Sequence, residues 1–569
     1  MYLNCTVDIP VMKGVTQFES GGVTYVRFTP ERTYNKEKKY NTPGHRSIGK
    51  LTGPGATTMI PNENYVKYFG TDEIPDLKQS QSRSSCLKAG SFLVIRKIME
   101  EYELSHYLLN HFNPDDCGLI LDLAAYTIVC ENNAGQYYPD YAYNHPLFTI
   151  GMRQYSDTKI SEFLMGITDD QRVGFLNDWN EKRDHRERIY ISYDSTNKNC
   201  QAGDIEMVEY GHPKDDKGLP IFNYAVGYDV NNELPLFYEG YPGSINDVSQ
   251  LQITIDKVKG YGYRHIGFIL DRGYFSKENI QYMDRAGYDF IIMVKGMARF
   301  ITPLIDEIHG TFENKRDYRI RGRKVYGITV KRQMYGSDKK DRYFHVYYSD
   351  PKAASERGKL EDKIEKMEDC LDGLKGKEVS LGGDYTKYFK LEIYDKDNTF
   401  LGYRENKEII EKELERCGYF VIVTSQRMTA AEALELYKSR DASEKLFRGD
   451  KSYLGNKSIR NSTNESVSSK IFVEFIALIV RQRIYSLLRK HKDRLGKNPN
   501  YMTVPATLRE LEKIEMIRGI DGEYHLDHAV SKNQKEILGA FRMDSNSVRK
   551  SVMELGKMMQ KHDAIGKGA

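Results

Sequence analysis

Residues 437–451 read Tyr437-Lys438-Ser439-Arg440-Asp441-Ala442-Ser443-Glu444-Lys445-Leu446-Phe447-Arg448-Gly449-Asp450-Lys451, and everything else in the chain is best understood outward from them. Reduced to its chemistry-bearing positions the stretch is Y-x2-R-x3-E-x6-K. Steps of three, four and seven put Tyr437, Arg440, Glu444 and Lys451 on roughly one face if the stretch is a single helix. That face would carry one carboxylate flanked by two cations and a phenol. A solvated helix with i,i+4 ion pairs also has acids among bases, but a site holding a metal beside a phosphate needs this particular set.

One carboxylate cannot clamp two divalent cations about 3.5–4 Å apart, as two-metal phosphoryl chemistry requires. Magnesium and manganese favour hard oxygen ligands, and the sequence offers two more. Residues 187–196 read as a strand ending on Asp194, and residues 265–273 as a second apolar strand ending on Asp271. An acid at the end of a buried strand stands at the rim of a sheet, where open sheets put their ligands. Taken singly, each Asp reads as a turn or helix-cap residue. Together, two strand-end acids followed in order by the complete four-residue skeleton point to an active site.

The skeleton resembles the signature of the IS-four-like group of bacterial insertion-sequence DDE transposases, and its spacing matches at every step. Asp194-Ser195-Thr196 is similar to the first motif of that family, and Asp271-Arg272-Gly273-Tyr274-Phe275-Ser276 to its second. The resemblance spans roughly residues 90–560 and implies an α/β fold. An RNase H-like catalytic core would carry a β-rich insertion before the last catalytic helix, with flanking helical regions. It implies that Asp194, Asp271 and Glu444 are catalytic and bind two Mg²⁺ ions, with Mn²⁺ able to substitute. Tyr437, Arg440 and Lys451 would contact DNA phosphates near the cleaved end; Lys445, Arg448 and Arg272 are weaker candidates for backbone contact. The implied activity is metal-dependent cleavage at terminal inverted repeats and strand transfer to target DNA. The double-stranded ends would be paired by a homodimer. Some relatives form DNA hairpins with the help of a Trp in the insertion; here the only Trp is Trp179, upstream of Asp194, which leaves a hairpin step to a Tyr or Phe.

Pattern divides the chain into six parts: a strand-rich region 1–85, a helical region 86–185, core segments 186–295 and 418–492, the insertion 296–417, and a helical region 493–569. The first part holds an alternating strand at 23–28 and a basic stretch with Arg32, Lys36, Lys38, Lys39, Arg46 and Lys50, which suits binding of DNA ends. Phe92, Ile95, Ile98 and Met99 repeat at helical spacing, and 119–130 is a further apolar helix. Core strands are expected at 189–193, 222–228, 234–241, 265–270, 289–294 and 419–424, with helices near 247–258 and 276–286. That alternation supports an α/β sheet. Within the insertion, strands are expected at 324–331, 343–348 and 388–394 and a charged helix at 352–374. Beyond it, 467–489 reads as an amphipathic helix closing the core, and 506–516 and 529–559 as helices around a turn at 519–522.

Composition narrows the function further. A net charge of +3 over 569 residues is no uniformly basic coat, yet residues 436–500 carry 15 Lys and Arg against 6 acids, a local excess of +9. Such an excess beside carboxylates suits a polyanion approaching metal ions. Seven scattered cysteines without C-x-x-C argue against a disulfide framework or zinc site and suit a reducing cytoplasm. The start shows no signal-peptide pattern, and the apolar run 472–480 is too short for a membrane. A cytoplasmic, nucleoid-associated protein is expected. Residues 260–265 look like a dinucleotide loop but precede a strand, no phosphate-binding P-loop occurs, and no His stands near Ser192 or Ser195 in the sequence to make a serine nucleophile. Two other readings fit the same triad: a domesticated RNase H-like nuclease, which would lack flanking inverted repeats, and a silent DNA-binding protein, which metal-dependent cleavage would exclude.

Overall fold

Eight strands between residues 189 and 424 assemble into one mixed sheet, seen in a computed structural model of the chain. The structure describes all residues except 1, 4, 31, 36–39, 71–82, 184–187, 201–204, 212–217, 264, 337, 339, 395–397, 454–457, 460, 462, 520–522 and 566–569, and excepts the side chains also at 32–35, 40–41, 247, 448, 450–453, 458 and 560–565. The chain divides into two units, residues 176–449 and residues 1–175 with 450–569.

Elements of the first of these units are numbered here. Its strands are β1 Ile189–Cys200, β2 Ile221–Asp229, β3 Leu234–Pro242, β4 Ile266–Leu270, β5 Asp289–Met293, β6 Tyr326–Gln333, β7 Asp341–Tyr348, β8 Phe389–Tyr394, β9 Thr399–Glu405 and β10 Tyr419–Thr424. Its longer helices are α1 Asp247–Gly260, α2 Lys277–Ala286, α3 Ala298–Ile308, α4 Asp350–Asp372, α5 Lys407–Glu415, α6 Ala430–Lys438 and α7 Asp441–Tyr453, the last running past the unit's end; a single turn of helix spans Asp384–Tyr388. The sheet order is β3-β2-β1-β4-β5-β10-β7-β6. β1, β2 and β3 form an antiparallel meander, β1–β4 and β4–β5 are parallel, and the ladders from β5 through β10 and β7 to β6 are antiparallel. β4 is buried at every residue, as expected of a parallel strand covered on both faces.

Two expectations change here. β1 does not end at Asp194: that residue sits midway in a strand that runs on to Cys200. The polar residues after it look like loop, but Ser195 to Asn199 pair with Ala225 to Ile221 on β2, and Ser195, Thr196, Lys198 and Asn199 are buried. Of the strands expected in the insertion, β6 and β7 extend the central sheet through the β7–β10 ladder. Only β8 and β9 form a separate hairpin, which packs with α4 and α5 around Ile364, Met367, Leu371, Phe389, Phe400 and Ile410.

The other unit has a five-stranded antiparallel sheet, in which Val23–Phe28 lies between Val15–Ser20 and Arg46–Leu51. It also has a helical block containing Gly90–Glu101 and Pro114–Cys130. The expected helix at 467–489 is Asn464–Leu495; it belongs to this unit and is buried on all faces through most of its length, so it is a central helix of the unit and not amphipathic. The expected helix at 506–516 stops at Leu511, and Glu515–Arg518 instead pairs with Cys86–Lys88 and Tyr524–Leu526. Among the described residues no helix is long and apolar enough to cross a membrane. Lys36, Lys38, Lys39 and most of the turn at 519–522 lie outside the described residues.

Candidate active site

β1 and β4 run in parallel and in register, with Leu270 paired to Tyr193 as the last rung. One step further on, Asp271 stands beside Asp194. β4 stops there and its chain turns into a short 3-10 segment, leaving the Asp271 side chain partly exposed. Asp194, held within the longer strand, accepts a hydrogen bond from the Ser195 amide at 2.9 Å through Oδ1.

The third carboxylate arrives on a helix. α6 opens with a capping box: the Glu432 amide donates to Thr429 Oγ1 (3.2 Å) and the Thr429 amide to Glu432 Oε2 (2.7 Å). Its apolar face, Ala430, Ala433, Leu434 and Tyr437, packs on Ile269, Ile291 and Ile422 of the sheet. The Tyr347 hydroxyl donates to the Ala430 carbonyl at 2.7 Å and pins its start. α6 then ends: Ser439 is its C-cap and its hydroxyl donates back to the Leu436 carbonyl. Arg440 lies in the turn, and α7 begins at Asp441. Tyr437, Arg440, Glu444 and Lys451 therefore do not share one helix face. Serine hydroxyls that bond nearby carbonyls compete with helix continuation, and here they stand on both sides of the break.

The turn delivers Arg440 to the acids. Its Nη2 lies 2.6 Å from Glu444 Oε1 and 3.7 Å from Asp271 Oδ1, and its Nη1 lies 3.8 Å from Asp194 Oδ2. One guanidinium thus gathers all three acids predicted from the sequence. Burial opposes the charge on Arg440, but Tyr437, Asp271, Glu444 and Asp194 outweigh it and raise its pKa. The Tyr437 phenol is pushed up to about 12, mainly by burial and despite Arg440 beside it, so it stays protonated at neutral pH. Arg440 Nε is buried without a hydrogen-bond partner.

The donor set fits a hard divalent cation: three carboxylates and no thiol or imidazole. Among the described residues no three acidic, His or Cys side chains are gathered tightly enough around one point to hold a single ion. The acids are drawn to Arg440 instead. Three carboxylates around one guanidinium leave an excess of two negative charges, the charge of one divalent ion. The sequence did not foresee Arg440 as the hub: its i,i+4 relation to Glu444 is legible, but its reach to both strand acids depends on the turn. Arg272 and Lys445 are exposed, and the side chains of Arg448 and Lys451 lie outside the described residues. Trp179 is wholly buried, its indole donating to the Pro235 carbonyl at 3.1 Å, so it offers no stacking surface for a base.

Residues 190–480, just over half of the chain, match the family described as transposase DDE domain, and the chain belongs to that family. It is a DDE transposase, of a class whose chemistry is DNA cleavage and transfer and whose members generally use divalent metal ions. No curated protein matches the chain. Among solved structures, the piggyBac transposase in a synaptic complex with hairpin DNA is similar over 82% of this chain and 85% of that one, at 7% identity and a TM-score of 0.35.

Proposed function

We propose that the chain is the transposase of an IS-four-like insertion sequence, binding the terminal inverted repeats of its element, cutting there and joining the ends to target DNA. The observation that carries this reading is the convergence of Asp194, Asp271 and Glu444, from two adjacent parallel strands and a helix, on Arg440. The order β3-β2-β1-β4-β5, with β2 antiparallel and β4 parallel to β1, supports an RNase H-like core. Asp194, Asp271 and Glu444 are the residues that would hold Mg²⁺, or Mn²⁺ in its place. The ions would supply activation of the attacking water or 3′-hydroxyl and stabilisation of the leaving 3′ oxygen.

The chain's own residues do the positioning. Arg440, kept charged beside the carboxylates, presents a planar fork suited to bidentate phosphate recognition. Tyr437, neutral at physiological pH, can donate a hydrogen bond to a phosphate oxygen and does not serve as a base. Lys451 would add a point charge. No covalent protein intermediate is needed. Two ends must be held together for transfer, which calls for a homodimer, and the N-terminal region 1–85 is the candidate for end binding. Seven free cysteines suit the cytoplasm, where the nucleoid lies.

The test is cleavage of the DNA flanking the gene with Mg²⁺, comparing the wild type with Glu444→Gln. Cuts at discrete repeat ends that vanish in the variant support the reading. Binding without cutting by the wild type refutes it in favour of a silent DNA-binding relative.

A further inference from the structure

We propose that Ser192 and Ser443 form a positioning clasp that fixes the Glu444 helix in register against the Asp194 strand. The proposal rests on the assignment of those two carboxylates to the active site. Both serines are fully buried, and their hydroxyl oxygens are 2.8 Å apart. Ser443 Oγ also donates to the Arg440 carbonyl at 2.8 Å. Its single hydrogen is then committed, so Ser192 is the donor to Ser443. A directed chain results: strand hydroxyl to helix hydroxyl to the carbonyl of the residue that gathers the acids.

Its place in the sequence gives the chain its use. Ser192 is two residues before Asp194 and so on the same face of β1. Ser443 immediately precedes Glu444. On the sheet, Ser192 lies between Tyr228 of β2 and Ile269 of β4, a position that an apolar side chain would fill at less desolvation cost. A buried hydrogen bond adds what apolar packing does not, a fixed direction and distance. α7 needs that constraint, because the break at Ser439 and Arg440 frees it from the register of α6. The competing explanation is an ordinary serine bonded back to the carbonyl three residues earlier in the first turn of α7. That explanation gives Ser192 no part in the rate.

The experiment uses the full chain as wild type, Ser192→Ala, Ser443→Ala and the double variant, which leaves no unpartnered hydroxyl. Single-turnover cleavage with Mg²⁺, affinity for end DNA, and Mn²⁺ affinity by calorimetry are measured. Each single variant is expected to cut about a hundredfold more slowly, the cost of a displacement near 1 Å, with unchanged DNA affinity and weakened Mn²⁺ binding. The double variant should be no slower than the slower single, because the pair acts as a unit. Rates and Mn²⁺ affinities within twofold of wild type in both singles overturn the clasp, as does a double variant whose loss is the product of the two. A wild type that neither cuts nor binds Mn²⁺ overturns the active-site assignment itself, and the clasp with it. That outcome is recognisable because Glu444→Gln then changes nothing.

Discussion

Two arginines of the same unit, Arg342 buried and Arg440 partly buried, are held in different company. Arg342 on β7 is paired with Asp284 of α2 and lies 5.4 Å from the centre of the Phe290 ring. Arg440 in the α6–α7 turn faces three carboxylates. Each keeps a buried Nε without a hydrogen-bond partner, so unsatisfied polarity does not distinguish them. Charge balance does. Arg342 and Asp284 sum to zero and need nothing more, whereas the Arg440 cluster sums to minus two. An ion pair that balances is a structural element, and a cluster left with surplus negative charge has room for a cation.

The largest expected effect comes from removing one acid of the cluster. Asp194→Asn, Asp271→Asn and Glu444→Gln should each lower cleavage by at least about a thousandfold while end binding stays within a few fold. Thermal stability without metal should not fall, because each change relieves the excess; loss of folding in all three would remove the distinction between the two arginines. Next come the arginines themselves. Arg342→Gln removes a buried cation from the partly buried Asp284, at a cost of up to about 3 kcal/mol. Arg440→Gln leaves Asp271 and Glu444, which are more exposed, and should cost less. Millimolar Mg²⁺ should restore most of the melting temperature in the Arg440 variant and none in the Arg342 variant. Equal responses would break the comparison.

His345 sharpens it with a third case, a buried titratable group kept neutral. Thr424 Oγ1 donates to the Gln426 carbonyl at 2.7 Å and accepts from His345 Nε2 at 3.0 Å, so Nδ1 accepts from Thr329 Oγ1 at 2.9 Å. Burial pushes the imidazole down to about 4. Its folded pKa lies below its unfolded value near 6.5, so its contribution is fully present above that pH and is lost as pH falls towards 4. The loss should reach roughly 3 kcal/mol, read as a steeper decline in melting temperature between pH 6.5 and 4 than in His345→Gln. The smallest effect belongs to the exposed pair Arg323–Glu435, with contacts of 2.8 and 2.9 Å. Glu435→Gln should cost less than about 1 kcal/mol by denaturant melting, and the cost should shrink further in high salt.

How much of this was legible depended on range. β4 and β10 are unbroken apolar runs, and Asp271 and the Y-x2-R-x3-E spacing could be read directly from the chain. The break at Ser439 and Arg440 could not, because no Gly or Pro marks it and the residues around it continue a helical pattern. The length of β1 was hidden for a related reason: Ser-Thr-Asn-Lys-Asn looks like a surface loop until β2 pairs with it and buries it. The strand at Glu515–Arg518 was missed because the apolar spacing before it reads as a continuing helix, and of its two partners one, Cys86–Lys88, lies over 400 residues away. Local patterns carry local structure, and each of these three features depended on a distant partner or on a turn held by side-chain hydroxyls.

The antiparallel ladder between β7 and β10 ends with Tyr348 facing Tyr419, and the Ser349 amide bonds the Gly418 carbonyl at 3.1 Å. Residues 349–418, with their own apolar cluster, therefore leave and rejoin the sheet through a doorway one strand spacing wide, about 5 Å. Gly418 helps to keep it narrow, with φ of +96° and no space for a Cβ against Ala353. A doorway of that width can be closed by a two-residue hairpin turn. For an engineer the segment is a cassette: it can be cut out at the threshold, or exchanged for another folded insert whose ends lie as close together, with the sheet left in place.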